Sequence, residues 1–389
     1  MFDPIKWILR MVYFYSRLLG VINFEIDMKT GRASVTRRAS IYAGVVNGLI
    51  LSLLPFLSLS NLLQTMWSHA GLLHEYLFLV IYVTRVSCLV ITLCSRWWQR
   101  GRLIHLVNAF SRLAFRRPQV MRMWRRRVVL KFMSIFLSEI SQVAISFYPM
   151  RSYLTLKLTF SILMLYAMTA LVNVIISHFY FINVNVHSHY ILLNQEIQAV
   201  LSELRSLETE HRRATRMIKC CFLADQLEDI ARTQSELQTL LKRSARIFDI
   251  QGLCITVIMY LSMIATIYFT FVGLTSTNRT LNWSFSNILF LFEVAFYFAD
   301  ILVTMDNLYI VLDVHAEMVT LLAQFSTLAP GLDERLEMVY ESFQLQLARN
   351  PLQVCLFYLY KVERAKAVAI ASSIVSNSLV LVQYEVQNT

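Results

Sequence analysis

The chain has 389 residues, of which 57% are hydrophobic and 16% charged. A soluble globular protein is about half apolar and a quarter charged, so this balance excludes that class and points to a polytopic α-helical membrane protein. A formal net charge of +11 invites a nucleic-acid reading. The basic residues sit beside hydrophobic spans, where membrane topology accounts for them, and no nucleic-acid partner is expected.

Residues 1–40 make an amphipathic, basic start. Pro4 can open a helix, and Trp7, Ile8, Met11, Val12 and Phe14 supply apolar surface around Arg10 and Arg17. Arginines interrupt the apolar run and no small-residue cleavage site follows, so this is not a secretory signal. It is expected to lie against the inner face of the membrane. Seven hydrophobic spans follow, at 40–63, 76–94, 128–148, 154–182, 253–272, 285–303 and 367–387. The first carries Pro55, a candidate kink. The fourth is longer than a bilayer needs, so it continues beyond the membrane as a helix or tilts.

Lysines and arginines orient the spans. Segments that share one side if all seven spans cross hold 32 of the 36; the other side has Arg151, Lys157 and Arg279, and Arg85 lies within a span. The positive-inside rule therefore places the N-terminus in the cytoplasm and the C-terminus outside. The outer loop between spans five and six contains two glycosylation sequons, at Asn278 and Asn282, and glycosylation occurs on that side. Between spans four and five the sequence reads helix, break, helix. Leu192, Ile197, Val200, Leu201 and Leu204 keep helical spacing, as do Leu223, Leu227, Ile230, Leu237 and Leu241. A third helical region at 306–348 breaks near Pro330-Gly331. Each has an apolar face that needs a partner, so a cytoplasmic helical bundle is expected. No cysteine falls in an outer loop, Cys220-Cys221 lacks zinc-ligand spacing, and His187-x-His189 lacks a third ligand. No metal or cofactor is expected.

Charges in spans need partners. Arg85 lies midway along span two and Glu139 midway along span three, and the two are expected to pair. Gln142 is one turn outward from Glu139. Glu293 lies near Phe290, Phe296 and Tyr297 in span six, and Tyr268 in the outer half of span five. Together they outline an outward pocket, aromatic with a few polar groups, suited to a small amphipathic or cationic ligand. Asp300 is read as structural. In span seven, Ser372, Ser376, Gln383 and Gln387 form one helical stripe, with Ser373, Asn377 and Tyr384 beside it. Such a stripe faces an aqueous pore or a closely packed helix neighbour.

Ser376-Asn377, five residues and Gln383-Tyr384 resemble the C-terminal signature of insect gustatory receptors: Thr-Tyr, five hydrophobic residues, Gln-Phe. Asn377 departs from the family tyrosine. The likeness extends through residues 20–25, 96–100, 219–225 and 345–351, and is to a divergent fly branch of the bitter-sensing kind. The resemblance implies an all-α, seven-helix, ligand-gated cation channel in the plasma membrane of gustatory receptor neurons. It also implies a homo- or heterotetramer of related subunits, opened by a small-molecule tastant. Residues 1–305, including a cytoplasmic helical loop at 183–252, would bind the ligand, and 306–389 would supply the pore helix. Gln383 matches the family's pore glutamine, and Glu385 lies near the outer mouth. A G-protein-coupled receptor would need the opposite orientation, a transporter an internal repeat, and an enzyme a nucleophile, metal or phosphate motif; none of these is found in the sequence.

Overall fold

The computed structural model describes residues 4–27, 30–54, 72–147, 155–207, 212–276, 285–325, 333–353, 355–356, 360–361 and 363–388. Pro55, Pro330-Gly331 and both sequons lie outside these residues. Helix α1 (Pro4–Leu18) leads into a short antiparallel pair, β1 (Glu25–Ile26) with β2 (Ala33–Ser34), in which Glu25 faces Ser34. Then come α2 (Arg37–Leu53), α3 (Leu72–Trp98), α4 (Arg100–Arg116), α5 (Val120–Met123), α6 (Arg125–Phe147), α7 (Leu156–Leu207) and α8 (Arg213–Ser276). The chain closes with α9 (Phe285–Phe325), α10 (Glu334–Arg349), a second small ladder of β3 (Cys355–Leu356) and β4 (Tyr360–Lys361), and α11 (Arg364–Asn388).

Local chemistry sets several of these boundaries. Thr36 caps α2 by accepting the Ala39 amide, and Asp333 caps α10 by accepting that of Arg335. Gly20 turns the chain after α1 at φ +71°, where a Cβ would meet Asn47 Oδ1 at 2.8 Å.

Among the described residues six helices are long and apolar enough to cross a membrane: α3, α6, α7, α8, α9 and α11. The described part of α2 covers the N-terminal portion of the first expected span. Helices α7 and α8, of 52 and 64 residues, reach about 80 and 95 Å at 1.5 Å per residue. A bilayer core takes only about 30 Å of that, so both continue well past it, as the length of the fourth span anticipates.

Their extensions form the expected bundle. Leu193, Val200, Leu223, Leu227, Leu237, Val311, Met318, Leu336 and Phe343 from α7, α8, α9 and α10 share one buried core. A second core lies between spans, around Leu89, Leu93, Leu158, Met168, Leu171 and Ile175. Arg117, at the end of α4, ties the bundle together. It donates to both Glu196 oxygens at 2.7 and 2.6 Å, to Asp229 at 2.9 Å and to Thr233 at 3.3 Å.

Helix α1 is docked more firmly than a surface helix. Ile5 and Ile8 are buried with Val120, Trp124, Val128 and Tyr180. Trp7, Met11, Phe14 and Leu18 recur at helical spacing on the other side and remain exposed. The helix thus has two apolar faces, one for protein and one fit for lipid.

Candidate functional site

Three of the expected pocket residues converge. Arg85 of α3 donates from Nη2 to Ser262 Oγ of α8 at 3.0 Å. Tyr297 and Glu293 of α9 lie close enough for the Arg85 charge to act on both. Arg85, Thr169, Asn173, Tyr297 and Asp300 line a cavity of about 40 Å³ here. That is room for about one water. The expected pairing of Arg85 with Glu139 is not what the fold makes. Glu139 Oε2 instead accepts from Tyr15 of α1 and Tyr166 of α7, each at 3.2 Å. Two phenol donors, from α1 and α7, hold one oxygen of the carboxylate, while Arg85 is held by Ser262 of α8. Burial beside Glu139 pushes the Tyr15 phenol up, so it stays a donor. Gln142 borders this region by donating to Thr169 at 3.3 Å.

Tyr268 does not join that group. It is fully buried, shares a hydrogen bond with His74 Nδ1 of α3 at 3.0 Å, and donates to Glu385 Oε2 of α11 at 2.8 Å. Glu385 is therefore turned into the protein rather than toward an outer mouth, because a buried hydroxyl donor awaits it there. Phe296 stacks on Phe292 with centroids 6.2 Å apart. Phe290 lies on α9, but its side chain falls outside the described ones. Asp300, read as structural, accepts Lys131 Nζ of α6 at 2.7 and 2.8 Å.

Helix α11 rests on α8 along one face. Ile374 and Ser378 are buried on that face, and Glu385 continues it. Ser373 and Asn377 reach the Tyr260 hydroxyl of α8, at 2.8 and 2.6 Å. Ser372, Ser376, Gln383 and Gln387 are exposed. At 100° per residue they lie on the side of the helix diametrically opposite Ile374 and Ser378. Asn377 and Tyr384 occupy the flank. Only 11% of this helix's most apolar window is buried within the chain. Sequence reasoning missed Ser262, His74, Tyr260 and the Tyr15–Tyr166 pair. An isolated serine within an apolar span was the available signal for Ser262; nothing in the sequence marks His74.

This is a bundle of long membrane-crossing helices with a helical extension and a last helix left mostly uncovered. The family model described as 7tm Chemosensory receptor matches residues 9–388. The chain is 38% identical to gustatory receptor 59d and 32% identical to gustatory receptor 36a, both of Drosophila melanogaster, with all of each chain covered. The chain belongs to the 7tm chemosensory receptor family, among the gustatory receptors of flies, which are receptors and not enzymes. Its fold is similar to that of the olfactory receptor OR5 of Machilis hrabei. The TM-score is 0.68 against that receptor and 0.65 against its complex with eugenol, at 12% and 13% identity, over 97% of this chain and 98% of the other. This likeness makes the fold a seven-helix membrane bundle.

Proposed function

We propose that this chain is a gustatory chemoreceptor that works as a ligand-gated, poorly selective cation channel, with a pore lined by α11. The observation that carries the reading is the stripe Ser372, Ser376, Gln383 and Gln387. It is exposed, opposite the face by which its helix rests on α8. Amides and hydroxyls facing hydrocarbon cost free energy, so the stripe faces water or like helices of neighbouring copies. Four copies around one axis would give both, and relatives could supply some of them. The flanking Val375, Leu379 and Val386 are exposed as well, and neighbouring subunits or lipid would cover them.

The ligand is a small organic molecule, of the bitter class by the sequence resemblance; the Machilis receptor structure with eugenol supports a small ligand in this fold. Its pocket lies around Arg85, Ser262, Glu293 and Tyr297. The 40 Å³ cavity there is far below the roughly 300 Å³ of a small-molecule site. Binding therefore has to part α3, α8 and α9. Since Tyr268 of α8 holds Glu385 of α11, such movement reaches the pore helix. A ligand opens the pore only through tighter binding to the open arrangement. The charge bias of the loops supports a cytoplasmic N-terminus, and the family resemblance supports the plasma membrane of taste neurons as the location.

Whole-cell current from cells expressing the chain, challenged with a panel of bitter compounds and sugars, tests this reading. Gln383→Ala should alter the conductance or permeability ratio of an evoked current. An evoked current indifferent to every substitution along the stripe would overturn the pore assignment.

A further inference from the structure

Away from the membrane, α4, α8 and α10 border an open cavity of about 440 Å³ that the receptor reading does not use. Its wall on α8 is a single stripe, Arg232, Ser235, Glu236, Thr239 and Arg243, recurring at three- and four-residue intervals. Arg112 of α4 completes the lining with a third guanidinium. From α10, Gln346 forms a fixed wall, because its amide already donates to the Ala231 carbonyl and to Gln234.

The charges in this cavity are unbalanced. The lining's one carboxylate, Glu236, is engaged by Arg116 at 3.4 Å. Other arginines of the same surface have acidic partners: Arg117 with Glu196 and Asp229, Arg335 with Asp225. Among the described residues, the guanidiniums of Arg112, Arg232 and Arg243 have neither an ion pair nor a hydrogen bond. Three unpaired guanidiniums around one concavity repel one another and favour an anion between them.

We propose that this cavity binds a multiply phosphorylated polyol of the inositol-phosphate class, free or as a lipid headgroup. Its volume falls in the range of small-molecule sites. Three guanidiniums exceed what one phosphate needs and suit two or three on one ring. No aromatic side chain lines it, so there is no platform for a nucleotide base. Ser235, Thr239 and Glu236 instead offer partners for ring hydroxyls. Arg243 lies ten residues before Leu253, where the fifth span is expected to begin. That is about 15 Å along the helix, close enough for Arg243 to meet a headgroup, whereas Arg232 is twice as far and favours the free species. The site rests on the α4–α8–α10 geometry, not on the channel reading.

The test uses the full chain in phosphatidylcholine nanodiscs, titrated with labelled inositol 1,4,5-trisphosphate. Both faces of a nanodisc are open, so binding is read independently of membrane orientation and of any current. Saturable binding is expected, weakened at least tenfold in the Arg112→Gln/Arg232→Gln/Arg243→Gln variant, equivalent to about 1.4 kcal/mol. The variant's melting temperature should match that of the parent, since exposed unpaired arginines are removed. Glu236→Gln should tighten binding severalfold, a gain that a misfolded protein does not give. Nanodiscs containing phosphatidylinositol 4,5-bisphosphate separate the two sources. Competition with the labelled probe identifies the lipid headgroup as an occupant, and its absence identifies the free species. No saturable binding by the parent chain, or binding unchanged in the triple variant, would overturn the assignment.

Discussion

Lys131 is fully buried, and it is tolerated because Asp300 meets it with both carboxylate oxygens while Thr304 accepts at 2.8 Å and Ser134 donates to Asp300 at 2.6 Å. Removing one partner of such a pair strands the other charge, which costs about 3–5 kcal/mol. Asp300→Ala should therefore lower the melting temperature of the detergent-solubilised chain sharply. Lys131→Met combined with Asp300→Leu should recover most of the loss. Equal damage from the single and double variants would show that the pair carries no coupling. Two histidines of the extension behave differently. Burial pushes His187 and His315 from the ordinary 6.5 to about 4, with the Arg127 charge adding to the effect at His187. The folded rings stay neutral until about pH 4, whereas the unfolded chain takes up protons near 6.5. Stability is thus flat above neutrality and falls as pH drops from 6.5 toward 4, by up to about 3 kcal/mol for each ring. Melting curves from about pH 7.5 to about pH 5 should show that slope, and it should flatten in a His187→Gln/His315→Gln variant. Arg85, Glu139 and Glu293 were legible at this scale, since charges in apolar spans are rare enough to mark themselves. Their partners were not, because Tyr15 and Glu139 are 124 positions apart and Arg85 and Ser262 are 177.

At the scale of the element, α8 is the connection between parts. One continuous helix carries one wall of the arginine-lined cavity, Ser262 beside Arg85, Tyr260 against α11 and Tyr268 against Glu385. The hydrogen bond from Tyr268 to Glu385 pins the far end of a helix that has little other cover. A buried hydrogen bond to a charged acceptor is worth about 1.5–3 kcal/mol. Tyr268→Phe and Glu385→Gln should each destabilise the chain, and together cost less than the sum of the two. Strict additivity in that double-mutant cycle would remove the Tyr268–Glu385 link from the gating argument. The polar stripe of α11 followed from spacing alone, because helical periodicity fixes which side chains share a face. Which face docks did not: Ile374 and Ser378 are no more apolar as a set than their neighbours, and α8 selects them by supplying Tyr260 and Tyr268.

For the whole molecule, the charge bias makes a direct topological prediction. A tag at the C-terminus should be stained by antibody on intact cells, and a tag at the N-terminus only after permeabilisation. The reverse pattern would invert the proposed orientation and place the α4–α8–α10 cavity outside the cell. By itself the sequence determined the class of protein, the six spans found among the described residues, the helical character of the segments between spans four and five and before span seven, and the polar stripe of the last helix. These follow from local rules: the length of an apolar run against bilayer thickness, the helical period, and the distribution of lysine and arginine. Only the tertiary structure decided that Glu139 belongs to two tyrosines rather than to Arg85, that Glu385 points inward, and that three arginines on two distant helices share a cavity. Those depend on which helices become neighbours, a property of packing that no local pattern in the chain encodes.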